Sequence, residues 1–145
     1  MMPNLIPQLL NADSQLLTLL GSGTRIAESH TWGIPQLPRP TDGYWLSITF
    51  EEMSMSTVTS IAKGPRNITV AVHHPWEIDR DFDTLTSILN RVDEILLPIE
   101  QQKGTDGIRV SSVARRGRSR HGEDEGWQTI TQSTTYGVLY DEFAA

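Results

Sequence analysis

The most constraining feature of this 145-residue sequence is one long amphipathic stripe with alternating runs on either side of it. From residue 82 to residue 99, apolar side chains recur at spacings of three and four, the pattern of a helix with one buried face. The stripe consists of Phe82, Leu85, Leu89, Val92, Leu96 and Ile99. Pro98 biases the residue before it away from helical geometry, so we expect the helix to end near Leu97.

Four β-prone runs surround this helix. Residues 44–52 and 67–74 alternate apolar and polar side chains before it, and residues 108–116 and 127–140 follow it. Leucines at helical spacing form an N-terminal helical segment, one bent helix or two short ones, which ends at Gly21. The sequence therefore predicts an α+β fold. We expect an antiparallel or mixed sheet of about four strands, in the order α-β-β-α-β-β, with the helices packed on one face.

Three segments interrupt this pattern within the single domain that we expect over residues 1–145. Residues 27–43 are rich in proline and predict an extended loop that carries Trp32. Residues 53–65 predict a long hairpin tip, and residues 115–126 predict a charged hairpin loop.

Composition removes several kinds of chemistry. The chain has no cysteine, which excludes disulfides, thiolate metal sites and thiol nucleophiles. His73 and His74 are adjacent in a strand, so their side chains leave opposite faces and cannot readily share a metal ion. The acidic residues between 77 and 83 fit the start of a helix, and no nucleophile elbow or phosphate loop is present. We predict a protein that is not an enzyme, with no cofactor and no metal.

The charge balance limits the partners. A net charge of −6 argues against wrapping nucleic acid, which needs a strongly basic face. No apolar run approaches the roughly 20 residues that span a bilayer, and no signal peptide pattern begins the chain. We therefore expect a soluble intracellular protein with no membrane partner.

One local charge pattern stands out from this balance. Arg115, Arg116, Arg118 and Arg120 are followed at once by Glu123, Asp124 and Glu125. The cluster could be a solvated hairpin tip neutralised by its own acids, or a contact site for nucleic acid or an acidic partner. In a ring, the arginines of one subunit could instead face the acids of the next.

The predicted hairpin tip has a similar ambiguity. It could be a solvated loop, or an arm that adds to the sheet of a neighbour, and its Met53 and Met55 suit an adaptable interface. With the charged cluster and Trp32, these two methionines complete the set of candidate subunit or partner contacts.

Three stretches together resemble tail terminator proteins of long-tailed, siphovirus-type bacteriophages. Residues 9–21 resemble the opening helices, and the hairpin of residues 44–74 with the helix of residues 82–97 resembles the centre. Residues 127–138, Trp-Gln-Thr-Ile-Thr-Gln-Ser-Thr-Thr-Tyr-Gly-Val, are similar to the last strand of such proteins from phages of actinobacteria.

This resemblance implies a structural protein of the virion, assembled in the cytoplasm of a bacterial host and located at the head–tail junction. Such proteins form a hexameric ring that caps the head-proximal end of the tail tube, ends its polymerisation and offers a head-joining surface. The implied partners are other copies of the chain, the tail tube protein, a head-completion or connector protein and the tape measure protein. DNA passes through the channel without specific binding, and no catalytic residues are implied.

Two other classes remain open. The chain could be a head-completion or connector protein, or a tail tube subunit, from the same region of a phage. It could also be a small nucleic-acid-binding module that uses the arginine cluster, whose DNA affinity would fall steeply with salt.

Overall fold

The computed structural model describes residues 3–21, 26–30, 42–51 and 63–141, which form three helices and seven strands of one sheet. The helices are α1 (Leu5–Ala12), α2 (Ser14–Leu20) and α3 (Phe82–Leu96). The strands are β1 (Ile26–His30), β2 (Trp45–Glu51), β3 (Lys63–Pro75), β4 (Glu100–Lys103), β5 (Arg109–Arg118), β6 (Gly122–Asp124) and β7 (Thr129–Asp141). The predicted α+β class is confirmed, and the four predicted strands are β2, β3, β5 and β7.

Aspartate side chains begin two of the helices. Asp13 separates α1 from α2 and accepts a hydrogen bond of 2.8 Å from the Leu16 backbone N–H. Asp81 accepts one of 3.2 Å from the Thr84 backbone N–H at the start of α3. Gly21, with a φ of 108°, ends α2 in a conformation that glycine adopts without strain. The N-terminal helical segment is therefore two short helices.

The strands lie in the order β1-β2-β3-β7-β5-β4, with β1 parallel to β2 and the other pairs antiparallel. β3 pairs with the whole length of β7 along one edge. The opposite edge of β7 is shared, because β5 pairs with residues 134–141 and β6 with residues 129–131. β6 thus continues the line of β5, and the chain turns at residues 125–128 to enter β7.

Alternation along the central strands decides which face is buried. The even-numbered residues of β2, β3 and β7 point toward the helices, where α3 packs against β3 and β7. The opposite face carries small and polar side chains such as Ser47, Thr69 and Thr135. The buried apolar core includes Leu46, Ile48, Ile68, Val70, Val72, Leu85, Ile88, Leu89, Val92, Leu96, Tyr136 and Val138. No helix in the part of the chain described here is long and apolar enough to cross a membrane.

All three predicted interruptions contain regular structure. Residues 27–30 belong to β1 rather than to the predicted loop 27–43, because the prolines begin only at residue 35 and β2 supplies ladder partners for this short strand. Residues 63–65 of the predicted tip 53–65 belong to β3 and pair with β7. Pro65 is tolerated there because it lies beyond the last pairing with β2, at Asn67. The predicted loop 115–126 is mostly β5 and β6, since both pair with β7.

Candidate assembly interface

The arginine segment, residues 115–120, begins in β5 and contains a β-bulge. The pairing register between β5 and β7 shifts by one residue between Arg115 and Gly117. Arg115 therefore lies opposite Tyr136 and Arg118 lies opposite Thr134. Residues three apart in a regular strand point to opposite faces, and the extra residue of the bulge removes this difference. Both arginines therefore point to the face that carries α3.

Asp93 of α3 is the common partner of these two arginines. Arg118 donates to Asp93 Oδ2 at 2.7 Å and Arg115 donates at 3.1 Å, and the side chains of Asp93 and Arg118 are only 13% and 12% exposed. The Tyr136 hydroxyl donates a short hydrogen bond to the other carboxylate oxygen, Oδ1. Burial, together with the negative charge of Asp93, raises the pKa of Tyr136 well above its usual range. Two arginines and a tyrosine thus converge on one largely buried carboxylate.

Arg118 uses its remaining donors within the same chain. Its Nε donates to Thr134 Oγ1 at 3.0 Å, and its NH1 donates to Asn90 Oδ1 at 2.5 Å. With the bond to Asp93, all three guanidinium nitrogens have partners in α3 or β7. Arg118 therefore ties the sheet to the helix and is not available for a partner protein.

Arg116 and Arg120 differ from their neighbours. Both are exposed and form no ion pair with any residue that the structure describes. The Arg116 guanidinium lies across Gly137, where an added Cβ would be 2.4 Å from its Nε, on the sheet face away from the helices. β4 pairs with β5 only as far as Ser112, so the arginines border a strand edge that no described strand covers. Charged side chains discourage unwanted strand pairing at such an edge.

The acidic part of the predicted cluster has its own partners. Glu123 forms an ion pair with Arg80, which precedes α3. Asp124 Oδ1 accepts a hydrogen bond of 3.0 Å from the Trp127 backbone N–H and so holds the turn into β7. Glu125 is exposed and has no ion-pair partner within the described ranges. The alternative in which these acids neutralise the adjacent arginines is wrong for Arg115 and Arg118, which bind Asp93.

A larger acidic surface forms where β3 leads into α3. The Trp76 backbone N–H donates to the Gln128 carbonyl at 3.1 Å, which places the β3–α3 connection beside the β6–β7 turn. We define the acidic end as the carboxylates gathered by this contact: Glu77, Asp79, Asp81, Asp83, Glu123, Asp124 and Glu125. Arg80 is the one arginine or lysine within these two segments. Asp81 acts in part as the cap of α3, and its hydrogen bonds with Thr84 lower its pKa.

Apolar and aromatic groups lie within the acidic end. Arg80 stacks over the Trp76 ring at 5.5 Å, and Ile78, which lies between these two residues in the sequence, is 53% exposed. His74 stacks on Tyr44 with ring centroids 3.9 Å apart. This histidine is 3% exposed. Its Nε2 lies 3.1 Å from Asp79 Oδ1, and neither ring nitrogen forms a hydrogen bond with a residue that the structure describes.

The other histidine of the pair, His73, has a hydroxyl on each side. Its Nε2 lies 3.4 Å from Ser47 Oγ, and its Nδ1 lies 3.2 Å from Thr129 Oγ1. Burial lowers the pKa of His73 to about 4, against a smaller opposite effect of Asp124. No carboxylate of the described residues bonds to the ring, whereas a serine–histidine–aspartate triad needs such a group to orient the imidazole.

The two histidines lie on opposite faces, as predicted, and both are buried. Among the residues described, no group of three His, Asp or Glu side chains could hold a metal ion.

The structure brings together some of the predicted contact residues and adds others. Trp32, Met53 and Met55 lie outside the described residues and stay predictions. Neither Asp93 nor Arg80 was identified as a functional residue from the sequence. The one local signal for Asp93 is that it lies three residues after Asn90, on the polar side of α3. That spacing marks a polar stripe on the helix, but only the folded chain shows which arginine reaches it.

Comparisons with known proteins concern the fold. No protein-family model matches the chain, and no curated protein sequence matches it significantly. Among solved structures it is similar to a chain described as "Virion of native gene transfer agent (GTA) particle". The fold is shared with a virion chain. The TM-score is 0.67, and the similarity covers 93% of this chain and 90% of that chain at 16% sequence identity.

Proposed function

We propose that this chain is a structural virion protein, and specifically a tail terminator that forms a ring on the head-proximal end of a tail tube. The observation that carries the proposal is the fold similarity to a chain of a gene transfer agent virion over 93% of the present chain. A match of this extent leaves little of the chain for a different domain. The sequence resemblance to tail terminators supplies the finer assignment, with six subunits as the expected number.

The surface supports an assembly role. Arg116, Arg120 and Glu125 are exposed charges without ion-pair partners among the described residues, and the acidic end concentrates carboxylates around an exposed Ile78. Patches of opposite charge steer the association of complementary protein surfaces and disfavour wrong partners. The net charge of −6 also suits a ring through which DNA slides, because a basic lumen would retain the phosphate backbone.

Electron microscopy of tails assembled with and without the chain tests the proposal. We expect tubes of uniform length, each with one antibody-labelled ring at the head-proximal end, when the chain is present. Without it, tubes should grow beyond that length and fail to join heads. Tubes of normal length in its absence, or no label at the junction when it is present, would contradict the terminator role.

The same preparations separate the alternatives. A tail tube subunit should itself polymerise into long tubes, whereas a head-completion protein should leave tail length unchanged and block only joining. A nucleic-acid-binding module should bind DNA at about 50 mM salt and lose affinity steeply as salt rises. If the chain does not bind DNA at about 50 mM salt, it is not a nucleic-acid-binding module.

A further inference from the structure

The charges left unpaired in one chain lie in two separate places. Arg116 lies at the level of Gly137 in β7, whereas the acidic end begins beyond Thr129 at the start of the same strand. Eight residues of β-strand span roughly 26 Å, which is well beyond the reach of an arginine side chain. Arg116 therefore cannot reach the acidic end of its own chain, and Arg120, which stands three residues before Glu123, forms no ion pair with it.

The acidic end also contains a carboxylate that the chain leaves partly open. Asp79 lies 3.1 Å from Nε2 of the buried His74, and its side chain is still 50% exposed. A guanidinium offers several N–H donors in a fixed plane and can bind the exposed side of such a carboxylate. Ile78 supplies an exposed apolar group beside this position, and binding energy commonly concentrates on such a centre with a polar rim.

We propose that the acidic end of one subunit receives the Arg116 and Arg120 surface of a second copy of this chain. The two surfaces are different, so the contact is head-to-tail, and a head-to-tail contact closes into a ring when its rotation permits. This inference rests on the ring of the proposed function and adds the two surfaces that join its subunits. Arg115 and Arg118 take no part, because Asp93 holds them against α3.

A charge-exchange experiment on the purified chain tests the contact. One variant carries Arg116→Glu and Arg120→Glu. The other carries Glu77→Lys, Asp79→Lys, Asp83→Lys and Glu125→Lys, which leaves three carboxylates and five cations in the acidic end; all six substituted side chains are exposed. Each variant alone faces like charge with like charge and should lose self-association by about tenfold or more. An equimolar mixture restores opposite charges at both kinds of contact, so association should return with the two variants alternating.

Sedimentation velocity at low ionic strength measures association, and native mass spectrometry counts each variant in the mixed assemblies. Glu100→Lys, on the exposed edge strand β4, is the matched control and should leave association unchanged. The inference is overturned if the wild-type chain stays monomeric at the highest soluble concentration, if single variants associate normally, or if mixing restores nothing. If the variants self-associate normally but are no longer incorporated into particles, the acidic end binds a different protein, and the inference is also overturned.

The tail-length assay keeps this inference separate from the proposed function. If the wild-type chain and the arginine variant both give tails of normal length, the proposed subunit contact is wrong and the terminator role stands. If the wild type has no effect on tails but the charge exchange restores association, the contact stands and the terminator role fails.

Discussion

The arginine segment and the acidic end flank the same turn of the chain, and the fold uses them differently. In the arginine segment, Arg115 and Arg118 turn inward to Asp93, and Arg116 and Arg120 stay outside. In the acidic end, Arg80 offsets one carboxylate while most of the others face solvent. The sequence pattern of four arginines beside three acids suggests two adjacent surfaces of opposite charge and similar size. The folded chain has a reduced positive surface and an enlarged negative one.

The difference shows that clustered charge in a sequence does not measure charge available for binding. Arg118 is near a helix carboxylate because the sheet places it there, and Asp93 is 25 residues away in the chain. The acidic end grows for the same reason, because the β3–α3 connection and the β6–β7 turn are distant in sequence and adjacent in space. Tertiary contacts therefore decide which charges remain for a partner.

Among the substitutions that test this contrast, we expect Asp93→Ala to have the largest effect on stability. It leaves two arginines and a buried tyrosine hydroxyl without their shared acceptor, and we expect the free energy of unfolding to fall by about 3 kcal/mol. Urea denaturation at neutral pH measures the loss. Glu94→Ala on the same helix removes only an exposed ion pair with Arg91 and should cost about 0.5 kcal/mol or less.

Equal effects of these two substitutions would mean that the arginine segment is not held by α3. A second pair of variants checks the same point from the strand. Arg118→Ala should destabilise the protein clearly, whereas Arg116→Ala should stay within about 0.5 kcal/mol of the wild type.

A pH titration tests how far the field of the acidic end extends into the sheet. His73 lies near Asp124, yet burial lowers its pKa from 6.5 to about 4. A pKa lowered by folding means that the neutral ring stabilises the protein above pH 6.5 and that this contribution is lost as the pH falls toward 4. We expect a loss on the order of 2–3 kcal/mol across that window.

Ring signals in NMR spectra follow His73 directly, and His73→Gln, which does not titrate, should flatten the stability profile over the same range. A His73 pKa above 6.5 would show that the nearby carboxylates outweigh burial, and would contradict this expectation.

The smallest expected effect concerns the carboxylate of the acidic end that has a structural task. Asp81 caps α3, and its hydrogen bonds with Thr84 lower its pKa below 3.8. Its contribution to stability is therefore present above that pH and is lost as the pH falls through the lowered pKa. Asp81→Ala should lower the urea midpoint more than Asp83→Ala does, and Asp81→Asn should keep the cap without the acid-dependent loss. Equal urea midpoints for the two alanine variants would contradict the role of Asp81 as the cap of α3.

The regular elements of the fold were largely predictable from side-chain periodicity. The helix predicted to end near Leu97 ends at Leu96, and the alternating run at residues 44–52 is β2. Periodicity is a local property, so a single sequence displays it. β1, β4 and β6 were not predicted, because each is short and exists as a strand only through pairing with a neighbour. The four residues of β4, Glu-Gln-Gln-Lys, carry no apolar pattern at all.

The candidate interface was predictable only in its residue types. The arginines and acids were visible as a cluster, but their partners Asp93 and Arg80 come from other elements. The carboxylates near residue 80 were assigned to a helix start, which is correct for Asp81 and leaves Glu77 outside that explanation. No local signal indicates that this connection packs against the β6–β7 turn.

The bulge in β5 has a consequence for how this strand can change through insertion and deletion. Deleting the extra residue would leave Arg115 and Arg118 two residues apart in a regular strand and on the same face, whereas inserting one residue beside the bulge would turn Arg118 away from Asp93. The outward surface would then gain a guanidinium while the helix lost its anchor, with no other change in composition. The length of this strand, counted in single residues, therefore sets how many positive charges each subunit can present to another molecule.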